Sequence, residues 1–270
     1  MKRLLQPVGL PGSGLRRRQL GLLGATALLP GIALAQGLPQ LIEASKPGVV
    51  LVGTHALTDS PRFGFRGTGF VVGQGRYIVT NAHVLPPPDA AESERRVVVQ
   101  VWQGGSRWEM REVRNVALAR AHDLVLLQVE GAPLPSSLKL GSEALVREGT
   151  EVALIGFPVG GVLGFSHVTH RGIVASVTGI ALPQPSAQAL NERAIRQIRE
   201  GTFDIYQLDA VAYPGNSGGP LFDVANGTVI GVINMVLTKS REAALSSPTG
   251  ISYALPVRHV HALLRQAQLP

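Results

Sequence analysis

The chain has 270 residues, of which 45% are hydrophobic and 16% are charged, which allows a substantial core but not several independent domains. The formal net charge of +7 falls to +2 without the five basic residues of positions 1–35, and no basic run of five or more occurs, which argues against a nucleic-acid-binding protein. There is no cysteine, so disulfides are excluded and the fold must rest on its core.

Residues 1–35 have the layout of an export signal, with basic residues, no acidic residue and then an apolar run over 20–35. Cleavage after the sequence Ala-Leu-Ala would leave Gln36 as the new N-terminus. The pair Arg17 and Arg18 resembles a twin-arginine signal, and both this route and ordinary secretion stay open. The apolar run is short and interrupted by proline, so a permanent membrane span is the weaker interpretation. We expect an exported protein, periplasmic or secreted, without a membrane anchor in its mature form.

Short runs rich in Val, Ile and Leu recur along the remaining chain, separated by Gly, Pro, Asn and Asp. This spacing is typical of an all-β barrel or sandwich. The predicted strands are 49–52, 69–72, 77–80, 97–102, 124–129, 152–155, 172–177, 203–208, 228–233 and 251–254. Helices are predicted over 187–199 and, after Pro256, over 257–266. The segment 134–148 joins the two groups of strands, so we predict an N-terminal barrel over 36–140 and a C-terminal barrel over 141–270.

A glycine-rich turn over residues 214–220 reads Pro-Gly-Asn-Ser-Gly-Gly-Pro. Glycine gives the backbone conformations that other residues resist. A nucleophilic serine needs such a turn, because backbone N–H groups must converge where a carbonyl oxygen becomes an anion. We expect Ser217 to be the nucleophile and the N–H groups of Gly215 and Ser217 to form the oxyanion hole. An ordinary hairpin turn is the alternative.

Serine is a weak nucleophile at neutral pH, so this interpretation requires a base and an acid. His83 follows an apolar strand, and Asp123 precedes another, where it could hold the imidazole in one tautomer. Taken singly, His83 could be a loop residue and Asp123 a turn residue. Together, the three follow the chain order His, Asp, Ser of chymotrypsin-type folds. We therefore predict His83, Asp123 and Ser217 as a catalytic triad.

Other histidines could suggest a metal site, but their spacing argues against one. His259 and His261 lie two positions apart on a predicted helix and should not converge. His122 neighbours Asp123, and successive strand residues face opposite sides. No cysteine or carboxylate cluster completes a site, so neither a metal nor another cofactor is expected. The remaining histidines are interpreted as loop or strand-edge residues: His55, His167 and His170.

The chain resembles the protease domain of the HtrA/Deg serine proteases, within the chymotrypsin-like group. The resemblance runs from about residue 43 to 261, and the order of the segments is its strongest part. The matching segments are 67–70 (GTGF), 77–84 (YIVTNAHV), 122–127 (HDLVLL), 155–158 (IGFP), 207–210 (QLDA), the Ser217 turn and 250–256 (GISYALP). The resemblance implies two six-stranded antiparallel β-barrels and a short C-terminal helix, with the active site in the cleft between the barrels.

Two departures from that family give further expectations. Its members usually carry one or two PDZ domains after the protease domain, and none is expected here, because the sequence stops at Pro270. The stretch 183–201 is longer than expected between barrel strands, and either a regulatory or substrate-facing lid or a tolerated surface excursion explains it.

In such folds the S1 pocket is walled by a residue about six before the nucleophile and by the strand after Asn234. These positions hold Val211, Met235 and Val236, so we expect an uncharged, aliphatic P1 side chain. Asn216 stands where digestive trypsin-like enzymes have an aspartate that pairs with a freed N-terminus. Activation by N-terminal insertion is therefore not expected, and ordering of the loop 211–216 is the more natural switch.

The sequence predicts a serine endopeptidase that acts on protein or peptide substrates through an acyl-enzyme, in quality control or processing after export. A catalytically silent peptide-binding or chaperone-like protein on the same fold is the alternative. An esterase with the same triad also stays open, although the α/β-hydrolase form has the chain order Ser, acid, His and a different turn. The sequence leaves the oligomeric state undetermined.

Overall fold

The computed structural model describes residues 37–86, 95–158, 160, 164–180, 203–234 and 250–269. The predicted export signal and the predicted helix over 187–199 lie outside these residues. A short helix, α1 (Leu38–Ser45), begins the described part and places Leu41 in the core.

Six strands close into a first antiparallel barrel in the order β1-β2-β3-β6-β5-β4. They are β1 (Val49–His55), β2 (Phe63–Val72), β3 (Tyr77–Asn81), β4 (Arg96–Trp102), β5 (Trp108–Ala119) and β6 (Leu124–Val129). The continuous apolar run of β1 reflects burial on both faces. Val50 and Val52 join the core of this barrel, whereas Val49 and Leu51 join a second cluster that also contains residues of the other barrel.

The second barrel has the order β10-β11-β12-β9-β8-β7 and is also closed. Its strands are β7 (Glu151–Gly156), β8 (Val168–Ile180), β9 (Phe203–Asp209), β10 (Pro220–Asp223), β11 (Thr228–Ile233) and β12 (Ile251–Pro256). Tyr206 is the largest of its core residues, and its hydroxyl accepts a hydrogen bond from Val146 N at 3.1 Å. A buried phenol is stable there because its polar atom has a partner.

A C-terminal helix, α2 (Arg258–Gln266), returns from the second barrel to the first. Its residues Val260 and Leu263 are buried in the same cluster as Leu124 and Leu126 of β6. Each fully buried side chain of this size contributes about 1.5–3 kcal/mol to folding. The helix thus fastens the last part of the chain across both barrels.

The predicted all-β fold with two six-stranded barrels and a C-terminal helix is confirmed. Two strands, β5 and β10, and the helix α1 were not predicted. Most of β5 is exposed or half-buried, and β10 has only four residues and adjoins the Ser217 turn, so neither has a long apolar run. Among the described residues, no helix is long and apolar enough to cross a membrane.

Candidate active site

His83 and Asp123 are brought together by the pairing of β3 with β6. His83 lies in the 3-10 turn Ala82–Val84 directly after β3, and Asp123 stands directly before β6. Asp123 Oδ1 accepts from the His83 backbone N–H at 2.9 Å, and Oδ2 accepts from His83 Nδ1 at 2.5 Å. Both carboxylate oxygens therefore face one histidine, which fixes its position and its ring orientation.

Asp123 has an unusual backbone conformation that its neighbours hold in place. Its φ of 50° is left-handed, which side chains other than glycine adopt rarely and aspartate tolerates better than most. Its carbonyl oxygen accepts from Ala82 N at 3.0 Å and from Asn81 Nδ2 at 3.1 Å. The segment before His83 thus stabilises the turn that aims the Asp123 carboxylate.

Asn234, which directly follows β11 of the second barrel, also contacts this carboxylate. Its Nδ2 donates to Asp123 Oδ2 at 2.8 Å, and the residue is fully buried. Sequence reasoning missed this role. The available signal was a polar residue at the end of the apolar run 228–233, because a buried amide in such a place needs a polar partner.

The Ser217 turn depends on two glycines with positive φ. Gly215 has φ +106°, and a Cβ there would lie 2.3 Å from Phe157 O. Gly218 has φ +83°, and a Cβ there would lie 2.1 Å from Thr68 O. Both the conformation and the space exclude a side chain at these positions. The turn therefore packs its backbone directly against both barrels.

These contacts place the Ser217 turn beside the segment that carries His83. A Cβ on Gly218 would lie 3.1 Å from Asn81 N, two residues before His83. A Cβ on Gly67 would lie 3.1 Å from Ser217 O and 2.7 Å from Val84, the residue after His83. Ser217 is 5% exposed, and its backbone and the His83 turn thus lie against the same glycine of β2.

The loop before Ser217 is closed by a backbone hydrogen bond. Asn216 N donates to Tyr213 O at 3.0 Å, which closes a tight turn around Gly215. Within the described residues, no backbone carbonyl accepts from Gly215 N–H. The Asn216 side chain is fully buried beside Gly156, and neither its amide nitrogen nor its oxygen has a hydrogen-bond partner among the residues that the structure describes.

The predicted substrate-binding residues lie only partly within the described chain. Val211 is half-buried and follows Ala210, whose carbonyl oxygen accepts from Ser252 Oγ at 2.7 Å. Met235 and Val236 lie outside the described residues, as does the stretch 183–201.

The strand-alternation argument that separated His122 from Asp123 does not apply, because both residues precede the strand. Residues Arg120–His122 form a 3-10 turn, and the strand begins at Leu124. The His122 ring stacks on His259 of α2, with centroids 4.2 Å apart, and the edge of Phe203 contacts both rings. His122 and Asp123 still contact different histidines, His259 and His83, because the chain turns between them.

Burial lowers the pKa of both stacked histidines. The pKa of His122 falls through desolvation and the nearby charge of Arg258. The pKa of His259 falls to about 4, chiefly through desolvation, with His122 and Arg258 adding to it. Its Nε2 is buried without a hydrogen-bond partner in the described structure. Both rings are therefore neutral at physiological pH. His261 faces elsewhere, its Nε2 lying 2.9 Å from Gly141 O.

His167 lies in the loop before β8 and joins the two barrels. Its ring stacks on Trp108 with centroids 5.5 Å apart and also contacts Trp102 and Phe157. Its Nε2 lies 3.2 Å from Val49 O, and burial lowers its pKa. This aromatic cluster is a packing contact between barrels.

Comparisons with known proteins agree with the fold. The family model described as the trypsin-like peptidase domain matches residues 67–232, which include His83, Asp123 and Ser217. Two proteins described as "Probable periplasmic serine endoprotease DegP-like", from Pseudomonas fluorescens and Pseudomonas putida, are each 32% identical over 191 residues, which cover 71% of this chain. The crystal structure of Deg5 matches with a TM-score of 0.55 and 25% identity, over 82% of this chain and 89% of that one.

The matched residues make up 32% of the length of those DegP-like relatives, so the chain corresponds to about a third of each. The family model spans more than half of the chain, and the relatives and the two-barrel fold agree with it. The chain therefore belongs to the trypsin-like peptidase family, as an HtrA/Deg-like member.

Proposed function

We propose that the chain is a serine endopeptidase in which Ser217 is the nucleophile, His83 the general base and Asp123 the acid that orients His83. The observation that carries this proposal is the pairing of both Asp123 carboxylate oxygens with N–H groups of His83. A histidine whose Nδ1–H is held in this way keeps Nε2 as a proton acceptor in its neutral form. The packing of the Ser217 turn beside the His83 segment supports the rest of the triad.

The proposed reaction is acyl transfer. His83 Nε2 takes the Ser217 proton while Oγ bonds to the substrate carbonyl carbon, whose oxygen becomes an anion between the N–H groups of Gly215 and Ser217. The C–N bond then breaks, and His83 gives the proton to the leaving amine. Water releases the acyl group by the same steps. Losing one oxyanion donor would cost about 3 kcal/mol of transition-state stabilisation.

We also propose that the protein is exported and that it acts in protein quality control or processing. The relatives are described as periplasmic serine endoproteases, and positions 1–35 have the layout of a leader. We infer a mature protein with barrels over 36–140 and 141–270 that cleaves protein or peptide substrates after export. The apolar Val211 favours an uncharged P1 residue, and cleavage of a peptide library chiefly after arginine would contradict that preference.

The proposal is tested with the Ser217→Ala variant. Casein hydrolysis should fall by about 10⁶-fold, because the residue that forms the covalent bond is gone. A fluorophosphonate probe should label the parent protein and not the variant. Ser142→Ala, at an exposed serine, is the control and should keep both signals.

The outcomes also separate the alternatives. A folded parent protein that binds peptides but neither hydrolyses them nor takes the label would be the silent, chaperone-like protein. Hydrolysis of simple esters without any peptide hydrolysis would indicate an esterase.

A further inference from the structure

Thr68 of β2 connects the first barrel to the turn that carries the nucleophile. It is fully buried, and its Oγ1 donates to Gly215 O at 2.7 Å and accepts from Phe157 N at 3.2 Å. Its backbone N–H donates to Ser217 O at 2.9 Å. One residue thus bonds to the carbonyl oxygens of both residues whose N–H groups form the proposed oxyanion hole.

The Thr68 hydroxyl supplies a restraint that glycine lacks. Gly215 can rotate about both of its backbone dihedrals at little steric cost, so its φ of +106° is not fixed by its own chemistry. Each peptide unit is planar, so fixing the Gly215 carbonyl fixes the whole unit that follows Gly215. The Gly215 N–H belongs to the preceding unit, between Pro214 and Gly215. The bond from Asn216 N to Tyr213 O closes the turn that contains this unit, so the two bonds together restrict the direction of the Gly215 N–H.

The hydroxyl is itself held in one direction. Thr68 Oγ1 donates its single proton to Gly215 O and accepts the N–H of Phe157, so its proton cannot point towards Phe157. The Thr68 carbonyl accepts from Thr80 Oγ1 at 2.7 Å, which ties β2 to β3 at this point. A buried hydroxyl that both donates and accepts is a rigid support, because breaking one bond leaves a buried polar group unpaired.

We propose that Thr68 is a positioning residue for the oxyanion hole, whose hydroxyl holds Gly215 with its N–H directed at the substrate carbonyl. This inference rests on the proposed function. Thr68 touches no reacting atom, and its effect passes through Gly215. The proposal predicts that loss of the hydroxyl weakens binding of the charged transition state more than binding of the substrate.

The test uses Thr68→Val and Thr68→Ala, which remove the hydroxyl, and Thr68→Ser, which keeps it. With a peptide substrate, the first two variants should lower kcat by about 10- to 100-fold and change KM little. This loss of kcat is no larger than the loss expected when a whole oxyanion donor is removed. A peptide aldehyde forms a hemiacetal whose oxygen occupies the hole, so its affinity should fall by the same factor. The matching peptide alcohol, which forms no such bond, should bind unchanged. Thr68→Ser should recover most of kcat.

Ser252→Ala is the matched control. Ser252 is also buried, and its Oγ donates to Ala210 O at the same distance of 2.7 Å. Its loss removes a comparable buried bond, so thermal stability should fall while the ratio of aldehyde to alcohol affinity stays as in the parent protein. If Thr68→Val does not fold, Thr68→Ala decides, since it adds no methyl group against Gly215 O.

Three results would overturn the inference while the parent protein is active: unchanged kcat and aldehyde affinity in a folded variant without the hydroxyl, equal loss in Thr68→Ser, or equal weakening of aldehyde and alcohol. A parent protein that neither hydrolyses peptides nor takes the fluorophosphonate label would instead refute the proposed function. The two failures are thus distinct.

Discussion

Two side-chain pairs that contain histidine lie side by side in this protein and have opposite environments. Asp123, the partner of His83, directly follows His122, the partner of His259. Asp123 holds the partly exposed His83 through both carboxylate oxygens, whereas the preceding residue, His122, stacks on the buried His259. The first histidine is oriented by a carboxylate, whereas burial and the charge of Arg258 disfavour protonation of the stacked pair. Environment, and not the residue type, separates a candidate base from a packing group.

Among the changes that test this comparison, Asp123→Asn has the largest expected effect. An amide at this position favours the wrong tautomer of His83 and cannot stabilise its cation, so kcat should fall by about 10⁴-fold. Steady-state kinetics on a peptide substrate measure this. Asp204→Asn is the control from the other pair, because Asp204 forms an ion pair with Arg258 beside His259. Equal losses in both variants would remove the distinction between the two sites.

A second prediction concerns pH and the buried pair. The pKa of His259 is about 4 in the folded protein, below the usual value of 6.5, so the unfolded chain binds the proton more readily. Stability is therefore full above pH 6.5 and falls as the pH drops towards 4, by up to about 3 kcal/mol. The titratable and charged groups that face His259 are His122, Arg258 and Asp204, and the lowered pKa of His122 acts in the same direction.

Urea unfolding at several pH values tests this prediction. His259→Phe should reduce the loss of stability between pH 6.5 and 4, because the ring that resists protonation is gone. His261→Gln, on the same helix, should leave the slope in place. An unchanged slope in His259→Phe would contradict the assignment.

The smallest expected effect comes from Asn234→Leu. Asp123 Oδ2 would lose one of two donors, and a hydrogen bond to a charged group contributes about 1.5 kcal/mol, which is roughly a tenfold drop in kcat. Asn226→Leu removes a similar amide-to-carboxylate bond, to Asp223. That control should lose stability and keep kcat. A normal kcat in Asn234→Leu would show that His83 alone holds the carboxylate.

Much of the fold could be predicted because most strands here are short apolar runs bounded by turn residues. β6 is a clear case, since all but one of its residues are buried. β5 escaped prediction because its residues are mostly exposed or half-buried and its place is set by pairing with β4, for example Trp102 with Trp108. Tertiary pairing overrides weak local preference in such strands.

The residues of the candidate site also divide into those that the sequence could predict and those that it could not. His83, Asp123 and Ser217 each stand in a local motif, so sequence reasoning could propose them. Asn234 and Thr68 could not be found so, because their roles arise from contacts that span 111 and 147 positions of the chain. The stacking of His122 on His259 likewise depends on where α2 docks.

The docking of α2 also bears on biosynthesis. Leu124 and Leu126 leave the ribosome long before Leu263, yet they share one apolar cluster with it. During translation, the face of β6 that carries Leu124 and Leu126 therefore lacks this packing partner until the last helix has formed. A chain that ends before α2 should therefore expose these apolar side chains, which the complete chain buries.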